Sequence, residues 1–436
     1  MASNYKFIFI ISALVFLSAC KKDESVNVEN NNINLEESRI RSEIYRYMLT
    51  VYLWNNQISH YIDTTFNIDP ETFFYALTYP ELDRWSFITS KMEYELLEKG
   101  LYFGHGIMFA YDEYGDLRVA YVLKNTKAYT SGIRRGWKVT KINNLTSPSY
   151  EQLNKIVGES FYKVNNYFEF LDNDNQLKTI YLEKELITIN PILLSTCIPH
   201  NGKKIGYLAL INFMGNNIKE QLDDIFNDFN FQAIDELVID LRYNVGGDLE
   251  ASQHLASLII GKTLQYSLFL KFNVNSHLST YYPGIVNDML IQNLPNSLVK
   301  PIERIFVITS GLTAAASEAF IKGIEPFITT HLIGTRTQGK PVVLLPIELK
   351  SGDYAIFPVV FTWENISNQS CGYTGIGVNC QEFDDLTHDF GDPEELCLKQ
   401  ALHFISTGSY LSQKKRALGS NAKYELKGIH SMIGFY

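Results

Sequence analysis

The chain has 436 residues, 46% of them hydrophobic, so it is long enough for two or three domains with buried cores. Its 38 basic and 48 acidic residues give a formal net charge of −10 at pH 7. This acidic balance argues against nucleic acid or an anionic membrane surface as a partner. None of the four cysteines after Cys20 has the spacing of a metal site, so we expect no metal and no other cofactor.

The N-terminus has the pattern of an export signal. Lys6 precedes an apolar run, Phe7–Phe16, that is too short to span a bilayer as a mature helix. The run ends in Leu17-Ser18-Ala19-Cys20, which resembles a lipobox; the alternative is an ordinary secretory signal with a chance cysteine. We therefore expect a signal peptide over residues 1–19 and lipid on Cys20. The lipid would anchor the protein in the cell envelope of a Gram-negative-type bacterium.

Residues 20–35 are polar, with an Asn-rich stretch and no hydrophobic period, and we interpret them as a lipidated tether. Their Lys21-Lys22-Asp23-Glu24 segment also resembles a surface-export signal of some Gram-negative lipoproteins. Periplasmic and surface orientations are both consistent with this sequence.

Residues 36–100 predict a small N-terminal helical cap. Apolar residues recur at helical spacing from Ile40 onward, which predicts a helix over residues 36–60. Asp69-Pro70-Glu71 predicts the start of a second helix, because Asp is a good N-cap and Pro fits the first turn. A third helix is expected to end at Gly100.

Residues 101–185 predict a β-rich domain, with strand-like runs at 106–110, 118–123, 167–170 and 179–182. The segment from Ala128 to Asn143 resembles the part of bacterial PDZ domains in which a short helical turn leads through two glycines into a strand. PDZ domains bind an extended peptide as an added strand. The resemblance implies a peptide-binding stretch made of Tyr102, Phe103, Gly104, His105, Gly106 and Ile107. We interpret His105 as a loop side chain near the peptide groove rather than as a catalytic base.

From residue 186 onward, strands and helices alternate. Strands are expected at Lys204–Ile211, Glu236–Leu241 and Arg304–Thr309, and helices at 218–229, 248–260 and 314–324. Further strands are expected at 331–334, 342–349 and 355–361, before a closing helix at 393–407. Such alternation predicts an α/β domain with a substantially parallel sheet.

Three stretches of this domain have residue types suited to acyl-transfer chemistry. Asp240–Gly247 ends in Gly-Gly after a buried strand, where bare backbone N–H groups can stabilise an oxyanion. Thr309–Phe320 passes from a strand into a helix, the position of a nucleophile elbow. Gly334–Pro341 contains Lys340, which could act as a base if burial lowers its pKa.

In combination and in this order, these motifs resemble the tail-specific (C-terminal processing) serine protease family, in its exported lipoprotein branch. The resemblance covers nearly all of residues 36–410. It implies an α/β protease core of the ClpP/crotonase-like kind over 186–410, with an inserted PDZ-like domain over 101–185 and a C-terminal extension over 411–436. Members cleave polypeptides near their C-termini with a Ser–Lys dyad, so polypeptide C-termini or extended peptides are the implied partners.

The resemblance places the general base at Lys340 and the oxyanion hole at Gly246 and Gly247, with the N–H of Ala316 as a second donor. The family has its nucleophile at the first residue of Ser-Ala-Ser-Glu. Here that residue is Ala315, followed by Ala316, Ser317 and Glu318. A methyl group cannot attack a carbonyl, so the chain as written lacks its nucleophile. Leu344 is a second departure, because many members have Gln there.

Three explanations compete for Ala315. It is an engineered substitution, or a natural change that leaves a peptide-binding pseudoprotease, or Ser317 or Thr313 acts in its place. The rival functions are a non-catalytic envelope scaffold and, on weak grounds, a carbohydrate-binding surface lipoprotein. A disulfide between Cys371 and Cys380 and the oligomeric state stay open at this level.

Overall fold

The computed structural model describes residues 35–65, 67–112, 114–146, 148–157, 164–215 and 217–412. The signal peptide, Cys20, nearly all of the tether and the C-terminal extension beyond residue 412 lie outside the described residues. The helices are α1 (Leu35–Val51), α2 (Pro70–Ala76), α3 (Lys91–Glu98), α4 (Lys127–Thr130), α5 (Tyr150–Val157), α6 (Ile218–Gln232), α7 (Leu249–Leu264), α8 (Ser276–Tyr281), α9 (Ala316–Ile324) and α10 (Leu396–Thr407), with a short 3₁₀ turn at Asn55–Gln57.

The strands fall into several sheets. In chain order they are β1 (Phe87–Ser90), β2 (Leu101–Gly104), β3 (Ile107–Tyr111), β4 (Leu117–Val122), β5 (Lys138–Ile142), β6 (Leu145–Thr146), β7 (Asn165–Leu171), β8 (Leu177–Glu183), β9 (Glu185–Thr188), β10 (Ile192–His200), β11 (Lys203–Leu210), β12 (Glu236–Asp240), β13 (Leu268–Asn273), β14 (Met289–Leu290), β15 (Arg304–Thr309), β16 (Thr329–Gly334), β17 (Val342–Leu344), β18 (Ile347–Glu348), β19 (Tyr354–Phe357), β20 (Val359–Glu364) and β21 (Cys380–Gln381).

The chain divides into two compact units, and the first combines residues up to Lys91 with Leu344–Val359. Its helix α1 buries one apolar face, and its strands form the sheet β1-β19-β18, in which the rings of Phe87 and Phe357 stack with centroids 4.3 Å apart. The unit is therefore not purely helical. The predicted helix over 36–60 is wrong in its last third, because Leu53 N–H donates to the Val359 carbonyl (2.9 Å) instead of continuing the helix.

The second unit contains the β-rich region between residues 101 and 185. Five antiparallel strands form the sheet β3-β4-β5-β7-β8, and β6 pairs with β5. Phe109, Phe168 and Phe170 stack in its interior. The predicted strands are confirmed to within two or three residues, because alternating apolar residues and Asx-rich turns marked them clearly.

The rest of the second unit is built on a six-stranded sheet of order β10-β11-β12-β15-β16-β21. Pairing is parallel from β11 to β21, and only β10 is antiparallel, so the predicted α/β core with a mostly parallel sheet is confirmed. Alternate residues of β11 face opposite sides. Leu208 and Leu210 pack with α6, α7 and α9, whereas Tyr207 and Ala209 pack with α10.

Two strand predictions are wrong because the chain changes sheet. The run expected at 342–349 is two strands, since β17 joins the sheet β14-β13-β20-β17 and β18 joins the sheet of the first unit. The run expected at 355–361 is interrupted at Pro358, which has no N–H to continue a ladder. Among the described helices, none is long and apolar enough to cross a membrane.

Candidate active site

The elbow after β15 has the backbone shape that a nucleophile turn requires. The strand runs along the centre of the parallel sheet, and six residues separate its end from the start of α9. Between them Ala315 has φ 49° and ψ −111°, a conformation that non-glycine residues rarely adopt. It is partly exposed, while Ala314 and Ala316 on either side are buried. A strained strand-to-helix turn of this kind presents its central side chain to a ligand.

The glycine loop after β12 lies directly against this elbow. Gly246 and Gly247 have φ values of 113° and 119°, which favour glycine. A methyl group on Gly246 would lie 2.8 Å from Ala315 Cβ and 3.2 Å from Ala316 N. Gly246, one of the two glycines predicted for the oxyanion hole, therefore lies beside the position predicted for the nucleophile, but its own N–H donates to Asn244 Oδ1 at 3.0 Å. Gly247 lies against Phe213 instead.

Hydroxyl groups of the elbow fasten it to the loop after β12. Thr313 Oγ1 donates to the Leu241 carbonyl (2.8 Å), and Ser310 Oγ donates to the Arg242 carbonyl. Ser317 Oγ donates to the Asn244 carbonyl (3.1 Å). Thr313 and Ser317 are both fully buried. These hydroxyls hold backbone segments together, so neither one is presented where Ala315 is.

Glu318 connects the elbow to the loop that contains Lys340. Its carboxylate accepts N–H groups from Ala315 (3.1 Å), Gly339 (2.7 Å) and Lys340 (2.8 Å), and also the Thr337 hydroxyl (2.5 Å). Burial raises the pKa of Glu318, although these donors oppose the shift. One buried carboxylate thus links the backbone of the proposed nucleophile position with that of the proposed base. Lys340 is itself buried, with 4% of its surface exposed.

A loop that the sequence did not single out supports the Lys340 segment. Gly339 has φ 86°, and a methyl group there would lie 2.4 Å from Gly375 N. Thr337 N–H donates to the Ile376 carbonyl, and Ile376 N–H donates to Thr337 Oγ1. Cys371 begins this loop as a buried free thiol, and burial raises its pKa. Cys380 is likewise a thiol and not half of a disulfide, so the structure contains no disulfide between these two cysteines.

A buried ionic cluster lies where β12 leads into the glycine loop. Arg242 pairs with Asp240, Glu395 and Asp384, each at 2.7 Å. Arg135, from the β-rich region, pairs with the same Asp384 at 2.7 Å. Burial alone would raise the pKa of Asp384, but the two guanidinium groups lower it to about 2. The sequence analysis did not find this link between Arg242, Asp384 and Arg135, because the three residues are far apart in the chain.

The predicted peptide-binding stretch spans the end of β2, the turn His105-Gly106 and the start of β3. His105 is 2% exposed, and its ring packs edge-on against Phe168. Its Nε2 lies 2.8 Å from Asn166 Nδ2. Burial, followed by the charge of Lys184, lowers the pKa of His105 to about 3. The ring is therefore a neutral group of the domain interior, and nothing in its contacts favours a base role.

These features define an α/β protein whose candidate site combines a nucleophile-type elbow, a glycine loop and a buried lysine. No group of three or more His, Cys, Asp or Glu side chains in the described part of the chain could hold a metal ion. The chain belongs to peptidase family S41. The model for Peptidase family S41 matches residues 204–379, and the model for the Peptidase S41 N-terminal domain matches residues 39–87, together just over half of the chain.

Curated relatives agree with this assignment. A carboxyl-terminal-processing protease of Picosynechococcus is 26% identical over 177 residues, covering 40% of this chain and 38% of that protein. A probable CtpA-like serine protease of Staphylococcus aureus strain N315 is 24% identical over 233 residues, covering 53% and 43% of the two chains. The chain therefore spans about two-fifths of the length of the curated relatives it matches.

Solved structures show the same fold. The crystal structure of a Bacteroides fragilis protein assigned to the S41 proteases superposes with a TM-score of 0.65 at 21% identity, covering 83% of this chain and 96% of that one. The photosystem II D1 C-terminal processing protease superposes with a TM-score of 0.52 at 17% identity, covering 80% and 93%.

Proposed function

We propose that this chain is a lipid-anchored envelope protein that binds extended polypeptide ends, and that Ala315 prevents it from cleaving them. Its active form would carry Ser at position 315, with Lys340 as general base. The observation that supports this most is the backbone of Ala315. A left-handed elbow costs an ordinary residue about 1–3 kcal/mol, and alanine has no side-chain function that would compensate.

The surroundings of Ala315 support the same proposal. The glycine loop approaches its Cβ closely, and Glu318 ties its N–H to the Lys340 segment. The explanation in which Ser317 or Thr313 replaces the nucleophile finds no support, because both hydroxyls are buried and already donate to backbone carbonyls.

For peptide binding, we propose that residues 101–185 act as a PDZ-like domain. Neither family match extends into this range, so the proposal depends on its own strands and on the sequence resemblance. Strand β3 pairs with β4 on one side only and follows the turn at His105-Gly106. An edge strand with one unpaired side is what peptide addition to a sheet requires.

The decisive experiment compares the chain as written with Ala315→Ser in digestion of fluorescein-labelled casein. We expect no cleavage by the first and a gain of at least about 10²-fold over background for the second, because a hydroxyl next to a base restores nucleophilic catalysis. Adding Lys340→Ala to the Ser variant should abolish the gain.

Ser317→Ala in the Ala315→Ser background is the matched control, and it should keep most of the activity. If the chain as written cleaves casein and Ser317→Ala abolishes that cleavage, the nucleophile is Ser317 and the assignment of position 315 is wrong. Inactivity of both the original and the Ser variant would favour a second function, a peptide-binding scaffold. That alternative is motivated by Ala315 together with Leu344.

The lipid anchor at Cys20 has a separate test. Cells expressing the full chain are labelled with radioactive palmitate, and we expect label on the protein but not on its Cys20→Ala variant. Equal labelling of both would contradict the anchor. Protease accessibility in intact cells then distinguishes a surface location from a periplasmic one.

A further inference from the structure

The side-chain amide of Asn244 is an unusual group beside the candidate site. The residue is fully buried in the loop between β12 and the glycines. Its Oδ1 accepts the N–H of Gly246 at 3.0 Å. A backbone N–H can be satisfied only by an acceptor, so this contact fixes which end of the amide is oxygen. The Nδ2 end is consequently directed away from Gly246 N.

Asn244 Nδ2 is buried and has no hydrogen-bond acceptor in the part of the chain that the structure describes. Nearby carbonyls already accept other groups. The Leu241 and Arg242 carbonyls accept the hydroxyls of Thr313 and Ser310, and the carbonyl of Asn244 accepts both Ala314 N–H and Ser317 Oγ–H. Buried donors are ordinarily satisfied, so an orphaned one calls for an explanation.

Asn365 is a buried asparagine away from the candidate site, and both ends of its side-chain amide form hydrogen bonds. It is also fully buried, and its Oδ1 accepts the N–H groups of Ser367 and Gln369. In contrast to Asn244, its Nδ2 donates to the Lys322 carbonyl at 2.7 Å. The orphaned donor is thus a feature of the loop at the candidate site rather than of buried asparagines in this chain.

The loop position of Asn244 suggests the missing acceptor. Its Oδ1 holds Gly246, whose Cα faces Ala315 so closely that a methyl group would overlap it. We infer that Asn244 Nδ2 donates a hydrogen bond to a carbonyl oxygen of the polypeptide bound at this site. A neutral amide donor suits a neutral peptide carbonyl, which every extended polypeptide offers. Asn244 would then contact the ligand in addition to Gly247 and Ala316, while the Gly246 N–H stays bonded to Asn244 Oδ1. This inference rests on the proposed peptide-binding function.

The test uses the Ala315 chain, which allows binding to be measured without turnover. The affinity for fluorescein-labelled β-casein is determined by anisotropy for the parent chain and for Asn244→Asp, which keeps the acceptor for Gly246 N–H but replaces the Nδ2 donor by oxygen. We expect binding to weaken about three- to tenfold, the usual effect of one lost neutral hydrogen bond. Asn244→Ser, whose hydroxyl can also accept the Gly246 N–H, is a second variant that tests the inference if the Asp variant does not fold.

Asn365→Asp is the matched control, and it should lower thermal stability while leaving the affinity unchanged. In the Ala315→Ser background, the Asn244 variants should also lower kcat/KM for casein. Parent-like binding and cleavage by both Asn244 variants would overturn the inference and leave the peptidase proposal standing. If Ala315→Ser does not cleave but binding still depends on Asn244, only the peptidase proposal fails. If labelled casein does not bind the Ala315 chain at all, the inference fails with the peptide-binding proposal.

Discussion

At the scale of single residues, the backbone conformation at position 315 says more about the candidate active site than the alanine side chain does. Alanine lies in a left-handed turn that non-glycine residues rarely adopt, and a methyl group can form no hydrogen bond that would offset the strain. The turn is imposed by neighbours, namely Ser310, Thr313 and Ser317 through their hydroxyls and Glu318 through its carboxylate. The strain is therefore stored locally and maintained by surrounding bonds.

Ala315→Gly should raise the free energy of unfolding by about 1 kcal/mol. Glycine tolerates φ 49° without strain, and this gain exceeds its entropic cost in the unfolded chain. Urea unfolding monitored by circular dichroism measures the effect. Ala319→Gly, in the regular part of α9, is the control and should lose more than about 1 kcal/mol, because it adds backbone freedom and also removes a buried methyl group. Destabilisation by both substitutions would contradict the strained elbow.

The motifs predicted the candidate site from residue type alone, and the roles assigned to these residues stay predictions. The glycine pair, the lysine between Gly and Pro, and the alanine at the family's serine position were all evident from the motifs. The sequence analysis did not find Asn244 or the loop at Cys371, because their roles depend on which backbone groups they contact. A buried amide with a free donor looks like any other asparagine in a sequence.

At the scale of elements, strands and helices with clear periodicity were predicted to within a few residues. The incorrect predictions of helix and strand bounds lie where pairing with a distant part of the chain determines the structure. The first helix ends early because Leu53 bonds to Val359, and the run at 342–349 is divided between two sheets. Strand β13 was missed altogether, although its buried residues Phe269 and Leu270 belong to the core.

The ionic cluster joins elements that are distant in sequence, and Asp384→Asn tests it. Removing the charge leaves Arg135 and Arg242 with one partner fewer, so we expect a loss of roughly 3 kcal/mol at pH 7. The folded pKa of Asp384 is lowered to about 2, below the value of about 3.9 expected in an unfolded chain. The stabilisation is therefore complete above that unfolded value and is lost as the pH falls toward 2.

Urea unfolding at several pH values checks this prediction, and the difference between parent and variant should shrink from pH 4 downward. Asp116→Asn is the control, because its pair with Lys138 is about one-third exposed on both sides and should contribute less than about 1 kcal/mol. A constant difference down to pH 2 would show that the charge of Asp384 is not responsible.

At the scale of the whole molecule, the first compact unit is assembled from two segments more than 250 residues apart in the chain. Strand β1 comes from the first segment and β19 from the second, with four residue pairs in register from Phe87–Phe357 to Ser90–Tyr354. Neither segment can form this sheet alone, so the unit requires both.

A chain that starts at Met92 should consequently aggregate. It would expose Phe357 and Ile356, which are 1% and 0% exposed in the intact unit, on a strand that has lost β1. We expect it in the insoluble fraction, whereas a chain that starts at Leu35 should stay soluble. A peptide of residues 35–91 is then added, and size-exclusion chromatography checks whether the loss of β1 causes the aggregation. Restored pairing of β1 with β19 should recover soluble protein. Good solubility of the shortened chain by itself would disprove the prediction.

The bonds that shape the elbow have an evolutionary consequence. All of them come from side chains other than that of residue 315, so selection for stability keeps the turn intact whether or not the protein cuts. Alanine and serine codons differ by a single base. If Ser at position 315 restores cleavage as proposed, a lineage that inherits this scaffold can exchange a binder for a peptidase, or the reverse, in one mutational step and without refolding these loops.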